Sequence, residues 1–138
     1  MMSLAAGFVL FAAAVQVVPF TNVASGTSSL IDEPREVVIR TQADWQAFWK
    51  AHSTQPAPVV DFSKSVVAGV FLGMRPTGGY GVLIRAVRRT ATGAVVEYLS
   101  STPDKNQMVI QMLTSPFYLI AMPGDIVKVE FKEVTGKS

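Results

Sequence analysis

The chain predicts an α+β domain: a mostly antiparallel β-sheet or sandwich of five to seven strands with one early amphipathic helix. Three observations carry that expectation. Apolar runs of strand length recur between Gly/Pro-rich turns, a single stretch near residue 45 repeats its aromatics at helical spacing, and the composition is rich enough to fill a core. Apolar residues make up 49% of the 138 residues and charged residues 16%. A domain near this size buries about 70% of its unfolded surface, so a packed core is within reach and a disordered chain is not expected.

The first segment is read separately. Met1 to Phe20 carries no charged side chain. Leu4 to Ala14 has the length of a signal-peptide apolar region, and Ala12-Ala13-Ala14 fits a small-x-small cleavage pattern, although no basic residue precedes it. Residues 1–14 are therefore expected to be a signal-peptide remnant or apolar leader, and 15–138 a single globular domain. The expected location is outside the cytoplasm: periplasmic, cell-surface or extracellular. Membrane contact is expected only through this segment, if it is retained.

The domain then reads element by element. Val15 to Phe20 suits a short strand held at an edge by Pro19. Asn22 to Ser29, rich in Ser, Gly and Thr, reads as a loop, and Glu36 to Arg40 as a strand. Thr41 opens the helix, with Asp44 three residues on in a capping-box arrangement. Trp45, Phe48, Trp49 and His52 follow the i, i+3, i+4, i+7 pattern, which marks the aromatics as anchors against a sheet. Pro56 and Pro58 stop the helix ahead of them.

Val66 to Leu72 is continuously apolar, as a strand covered on both faces must be. Tyr80 to Val87 alternates, with Tyr80, Val82, Ile84 and Ala86 on one face. Ala94 to Leu99 returns beside it after a turn at Arg88 to Gly93. Ser115-Pro116 introduces a strand at Phe117 to Ala121. After the Pro123-Gly124-Asp125 turn, Ile126 to Val134 closes the chain with Val127, Val129 and Phe131 inward.

Several function classes are excluded or disfavoured. Twelve basic against ten acidic residues leave a net charge of +2, too small a footprint for nucleic acid, and Arg85, Arg88 and Arg89 read as a solvated strand end. No cysteine is present, which removes disulfides, thiol catalysis, cysteine-ligated metals and a lipid-modified cysteine. His52 is the only histidine. It lacks a G-x-S-x-G companion, and its place at a helix C-terminus suits a favourable partner for the helix dipole. The acidic residues are scattered across turns and outward positions and match no calcium loop. No cofactor, no metal and no catalytic residues are expected; a hydrolase using His52 or a carboxylate pair is the enzymatic alternative.

What remains is Gly73 to Gly81, nine residues with four glycines and one proline between two apolar runs. Pro76 presets one φ angle, and Gly78 and Gly79 tolerate φ > 0. A loop of this kind on rigid strands is a place for recognition. Arg75, Thr77 and Tyr80 are the expected contacts, with Pro76, Gly78 and Gly79 shaping the loop. Arginine brings a planar fork of donors and tyrosine a large contact area with few rotatable bonds.

Trp45-x-x-x-Trp49 with His52, Val60-Asp61-Phe62, Phe71-Leu72-Gly73-x-Arg75-Pro76-Thr77-Gly78-Gly79-Tyr80, Leu113-Thr114-Ser115-Pro116-Phe117 and Val129-Glu130-Phe131 together resemble the C-terminal domain of PrcB-like protease-complex subunits. The likeness runs from about Val17 to Phe131. It implies an exported, non-enzymatic domain that binds a protein partner, a peptidase among them, as an accessory or stabilising subunit of a cell-surface protease complex. Family members tethered by lipid differ from this chain, which has no cysteine to modify. A second, shorter likeness concerns the loop alone. Pro76-Thr77-Gly78-Gly79-Tyr80 is similar to the Pro-Thr-Thr-Gly-Tyr loop that chagasin-type inhibitors insert into cysteine peptidases, with Gly78 in place of the second threonine. It implies direct peptidase inhibition as the alternative.

Overall fold

The computed structural model describes residues 16–134; the expected leader at 1–14 lies outside them. Two four-stranded sheets face each other, and a helix covers the outer face of one. In chain order the elements are β1 (Gln16–Val17), β2 (Thr21–Gly26), β3 (Arg35–Ile39), α1 (Gln42–His52), β4 (Ser65–Phe71), β5 (Gly81–Arg89), β6 (Gly93–Ser101), β7 (Phe117–Pro123) and β8 (Lys128–Glu133). One sheet has the order β1-β5-β6-β8 and the other β2-β7-β4-β3. All pairings are antiparallel except β6 with β8. The α+β class and the antiparallel bias stand, but there are eight strands rather than five to seven.

The additional strand comes from the start of the chain, after the expected edge strand. Gln16–Val17 pairs with Arg89 and Arg88 at a sheet edge, as Pro19 suggested. Thr21–Gly26, read as loop for its small polar residues, instead lies along β7 from Thr21↔Ala121 to Gly26↔Phe117. A partner about a hundred residues away supplies the ladder, and tertiary context overrides weak local propensity.

β4 explains the architecture. Val66, Ala68 and Val70 pack into the space between the sheets with Ile84, Val87, Val96, Ile120 and Ile126. Val67 and Phe71 face the opposite way, against Trp45, Trp49, Phe117 and Leu119 beneath the helix. Both faces of β4 are buried, so its sequence shows no alternation. The helix begins where expected: Thr41 Oγ1 accepts the Asp44 amide at 3.1 Å. Each tryptophan also satisfies its indole donor, Trp45 on the Pro58 carbonyl at 3.0 Å and Trp49 on the Gln55 carbonyl at 2.7 Å. The proline-containing segment after the helix is thereby fastened to it.

Two details depart from strict alternation. A bulge at Arg85 in the β5–β6 pairing shifts the phase, so Ile84 and Val87 share the buried face while Ala86 does not follow Ile84 inward. The last strand begins only at Lys128, and in the turn before it Val127 is 79% exposed while Ile126 is buried. Arg40 holds that turn by donating to the carbonyls of Ile126 at 2.9 Å and Val127 at 2.6 Å, which leaves Val127 on the outside. Arg85 and Arg88 are not simply solvated: both reach across to Glu97, at 3.2 and 3.0 Å. Burial pushes the Glu97 carboxyl up, but hydrogen bonds from Arg85 and Arg88 and their charges outweigh it and hold the group below its ordinary value.

Candidate functional site

The Gly73–Gly81 loop is the crossover from β4 in one sheet to β5 in the other. It is fastened along its length. Met74 donates its amide to the Asp32 carbonyl at 3.0 Å, and Arg75 exchanges two backbone bonds with Thr114, at 2.7 and 3.0 Å. Gly78 donates to the Ile110 carbonyl at 2.9 Å, and Thr114 Oγ1 donates to the Thr77 carbonyl at 2.8 Å. The segment from Ile110 to Thr114 therefore acts as a rail beside the loop. Nothing in the local sequence marked it as such, because its residues show no strand alternation.

Glycine is required at two positions. Gly73 has φ +80°, and a Cβ there would lie 2.8 Å from Pro34. Gly79 has φ +93°, and a Cβ would meet Val109 at 2.8 Å and Pro103 at 2.9 Å. A Cβ at Gly78 would make only ordinary contacts with Ile110, at 3.5 Å and beyond, and its backbone is not left-handed. The two adjacent glycines thus differ in purpose.

The six loop residues singled out from sequence fall into three groups. Arg75 and Tyr80 come together, the guanidinium carbon lying over the ring at 5.7 Å from its centre in a cation–π arrangement. Arg75 Nε is buried with no acceptor. Thr77 turns its hydroxyl to the Gly78 carbonyl at 2.8 Å. Pro76 and Gly79 are exposed, while Gly78 is half-buried. Around them Met74, Met108, Ile110, Met112 and Leu113 are from 50% to 95% exposed. Loop and rail together present a strip of large apolar side chains to solvent.

His52 sits elsewhere. It is 2% exposed and enclosed by Phe48, Trp49, Phe71 and Phe117 at ring separations of 4.3 to 6.1 Å. Its Nδ1 lies 2.8 Å from Ser29 Oγ, which also accepts the Ile31 amide at 3.1 Å. Leu30 in turn donates its amide to the His52 carbonyl at 2.8 Å. Burial pushes the imidazole below its ordinary value, so it is neutral at pH 7 and cannot serve the helix dipole as a cation. The contact ties the helix end to the strand-connecting segment before β3. Among the described residues no carboxylate hydrogen-bonds the ring and no cluster of metal-ligating groups occurs. Nor does any helix among them have the length and hydropathy to cross a membrane.

A two-sheet scaffold thus holds the fastened crossover loop. Residues 66–123 match the family model described as PrcB C-terminal. That stretch runs from β4 through β7 and contains the loop and its rail; the match supports a PrcB C-terminal-like domain there and takes in two of the motifs read from sequence, Phe71–Tyr80 and Leu113–Phe117. No curated protein and no solved structure matches the chain.

Proposed function

We propose that the protein is an exported, non-enzymatic accessory subunit of a cell-surface protease complex, which it contacts through the Gly73–Gly81 loop. One observation carries the reading: a loop immobilised by backbone bonds displays Arg75 and Tyr80 beside the exposed strip of Met74, Ile110, Met112 and Leu113. Contiguous exposed apolar surface is a mark of protein contact, and methionine adapts its shape to a partner at small energetic cost. Preorganisation lowers the ordering entropy that binding must overcome. The family match supports a protease-associated role, and the apolar leader supports export.

The test is affinity capture from the envelope fraction of the native organism with the chain from Val15 onward, against an Arg75→Ala/Tyr80→Ala control. A peptidase recovered with the wild type and lost with the folded double variant is expected. Equal recovery by both proteins overturns the assigned contact surface, and an empty capture by both overturns the role. The rigidity of Pro76 to Tyr80 also favours a second reading, direct insertion into a peptidase cleft. Unchanged activity of a cysteine peptidase panel at micromolar protein removes it.

A further inference from the structure

Where the two sheets part, at the edge formed by β3 and β8, lies an open cleft of about 430 Å³. Arg75 reaches it from the loop, Arg35 and Glu36 from β3, Tyr98 and Ser100 from β6, and Glu133 from β8. We propose that this cleft binds an extended peptide segment of a protein partner bearing a single acidic side chain, with the carboxylate on Arg75 and the peptide amides toward Glu36 and Glu133. The inference rests on the protein-binding reading above and names the chemistry of the contact.

Four observations carry it. First, the two acidic groups already have hydroxyl donors: Glu36 accepts from Tyr98 at 3.5 Å, and Glu133 from Ser100. The two arginines have no such partner, since among the described residues neither Arg75 nor Arg35 forms an ion pair. The unmet demand of the cleft is for an anion. Second, Arg75 is prepared for one. Its backbone is bonded to Thr114, its guanidinium lies over the Tyr80 ring, and its Nε is buried with no acceptor among the described residues. A planar fork held in place is the form that grips a carboxylate through two parallel bonds.

Third, the two glutamates select against other anions. A phosphate or nucleotide would bring two or more negative charges against Glu36 and Glu133. A peptide brings one carboxylate and several N–H donors that these acids accept. The raised Tyr98 phenol, pushed up by burial and then by the charges of Glu36 and Glu133, shows how closely those acids crowd the floor. Fourth, β3 and β8 are both edge strands, so each presents an unpaired side to an incoming extended chain.

The experiment uses the full chain and two fluorescein-labelled, C-terminally amidated alanine peptides, one with a central glutamate and the other with glutamine. Anisotropy is expected to show binding of the glutamate peptide at least about tenfold tighter than the glutamine peptide. Arg75→Gln should remove that preference, and Arg75→Lys should restore little of it because the fork is lost. Lys105→Gln, outside the cleft, should change nothing. Amide shifts on titration are expected at Glu36, Tyr98 and Ser100, in variants whose melting temperatures confirm folding. Equal binding of the two peptides, no binding at millimolar peptide, equal affinity for inorganic phosphate, or shifts confined to another face would each overturn the proposal. Peptidase capture without peptide binding rejects the cleft alone, whereas peptide binding without capture rejects the accessory role alone.

Discussion

At the scale of single residues, backbone geometry and burial make sharp demands. Gly79→Ala places a Cβ against Val109 and Pro103 at a φ that L-residues avoid, so a loss of about 1–3 kcal/mol is expected. Gly78→Ala, with no close contact and no positive φ, should stay within about 0.5 kcal/mol. Urea denaturation of the two variants checks the contrast, and equal effects would contradict the loop geometry. His52 makes a pH-dependent demand. Its folded value lies below the ordinary 6.5, so the unfolded chain binds more protons in between. Stability is therefore complete above about pH 6.5 and falls as the pH drops from there toward the folded value. His52→Phe should flatten this portion of the urea-midpoint profile, whatever it does to the absolute stability. The Glu97 contribution separates from it, being lost only as pH falls through that carboxyl's lowered value.

Among the elements, the helix and the strand beneath it carry the largest packing terms. Trp45 is fully buried between Phe62, Phe48 and the sheet, and its indole donor is satisfied. Trp45→Ala should cost about 3–5 kcal/mol, combining lost burial, a cavity and an orphaned Pro58 carbonyl. Thr41→Ala should cost about 1 kcal/mol, since it removes one capping bond at an exposed helix start. Thermal denaturation with circular dichroism ranks the two, and a Thr41 effect as large as that of Trp45 would refute the packing account.

The whole molecule depends on pairings between distant segments. The stretch matched to the family, 66–123, holds β4 to β7, whereas β1 to β3, the helix and β8 lie outside it. Within that stretch β4 would lose β3 and the helix, and β6 would lose β8. Residues 66–123 produced alone are expected to show no cooperative thermal transition, while residues 16–138 unfold in one step. A cooperative transition in the excised piece would mean that the outer elements decorate a self-sufficient core. The proposed contact surface obeys the same dependence, because the 73–81 loop and the 110–114 rail belong to two separate connections between the sheets, β4 to β5 and β6 to β7.

Local rules were enough for some features. The capping Thr41, the aromatic spacing of Trp45, Phe48 and Trp49, the unbroken apolar run of β4 and the glycine-rich crossover each announce themselves through interactions within a few residues. The motifs at Phe71–Tyr80 and Leu113–Phe117 also made the likeness to the PrcB C-terminal family readable. Other features have no local signature. The strand at Thr21–Gly26 exists because β7 offers it a ladder. The bulge at Arg85 changes which residues face inward, and Arg40 decides that Ile126 rather than Val127 is buried. The pairing of Arg75 with Tyr80 required the loop to be folded back on Thr114, and the cleft required two sheet edges to meet. Short-range propensities determine which segments are helix, turn or buried strand. Which surfaces those segments bring together is decided by burial and pairing between residues distant in the sequence, and only the folded chain contains that.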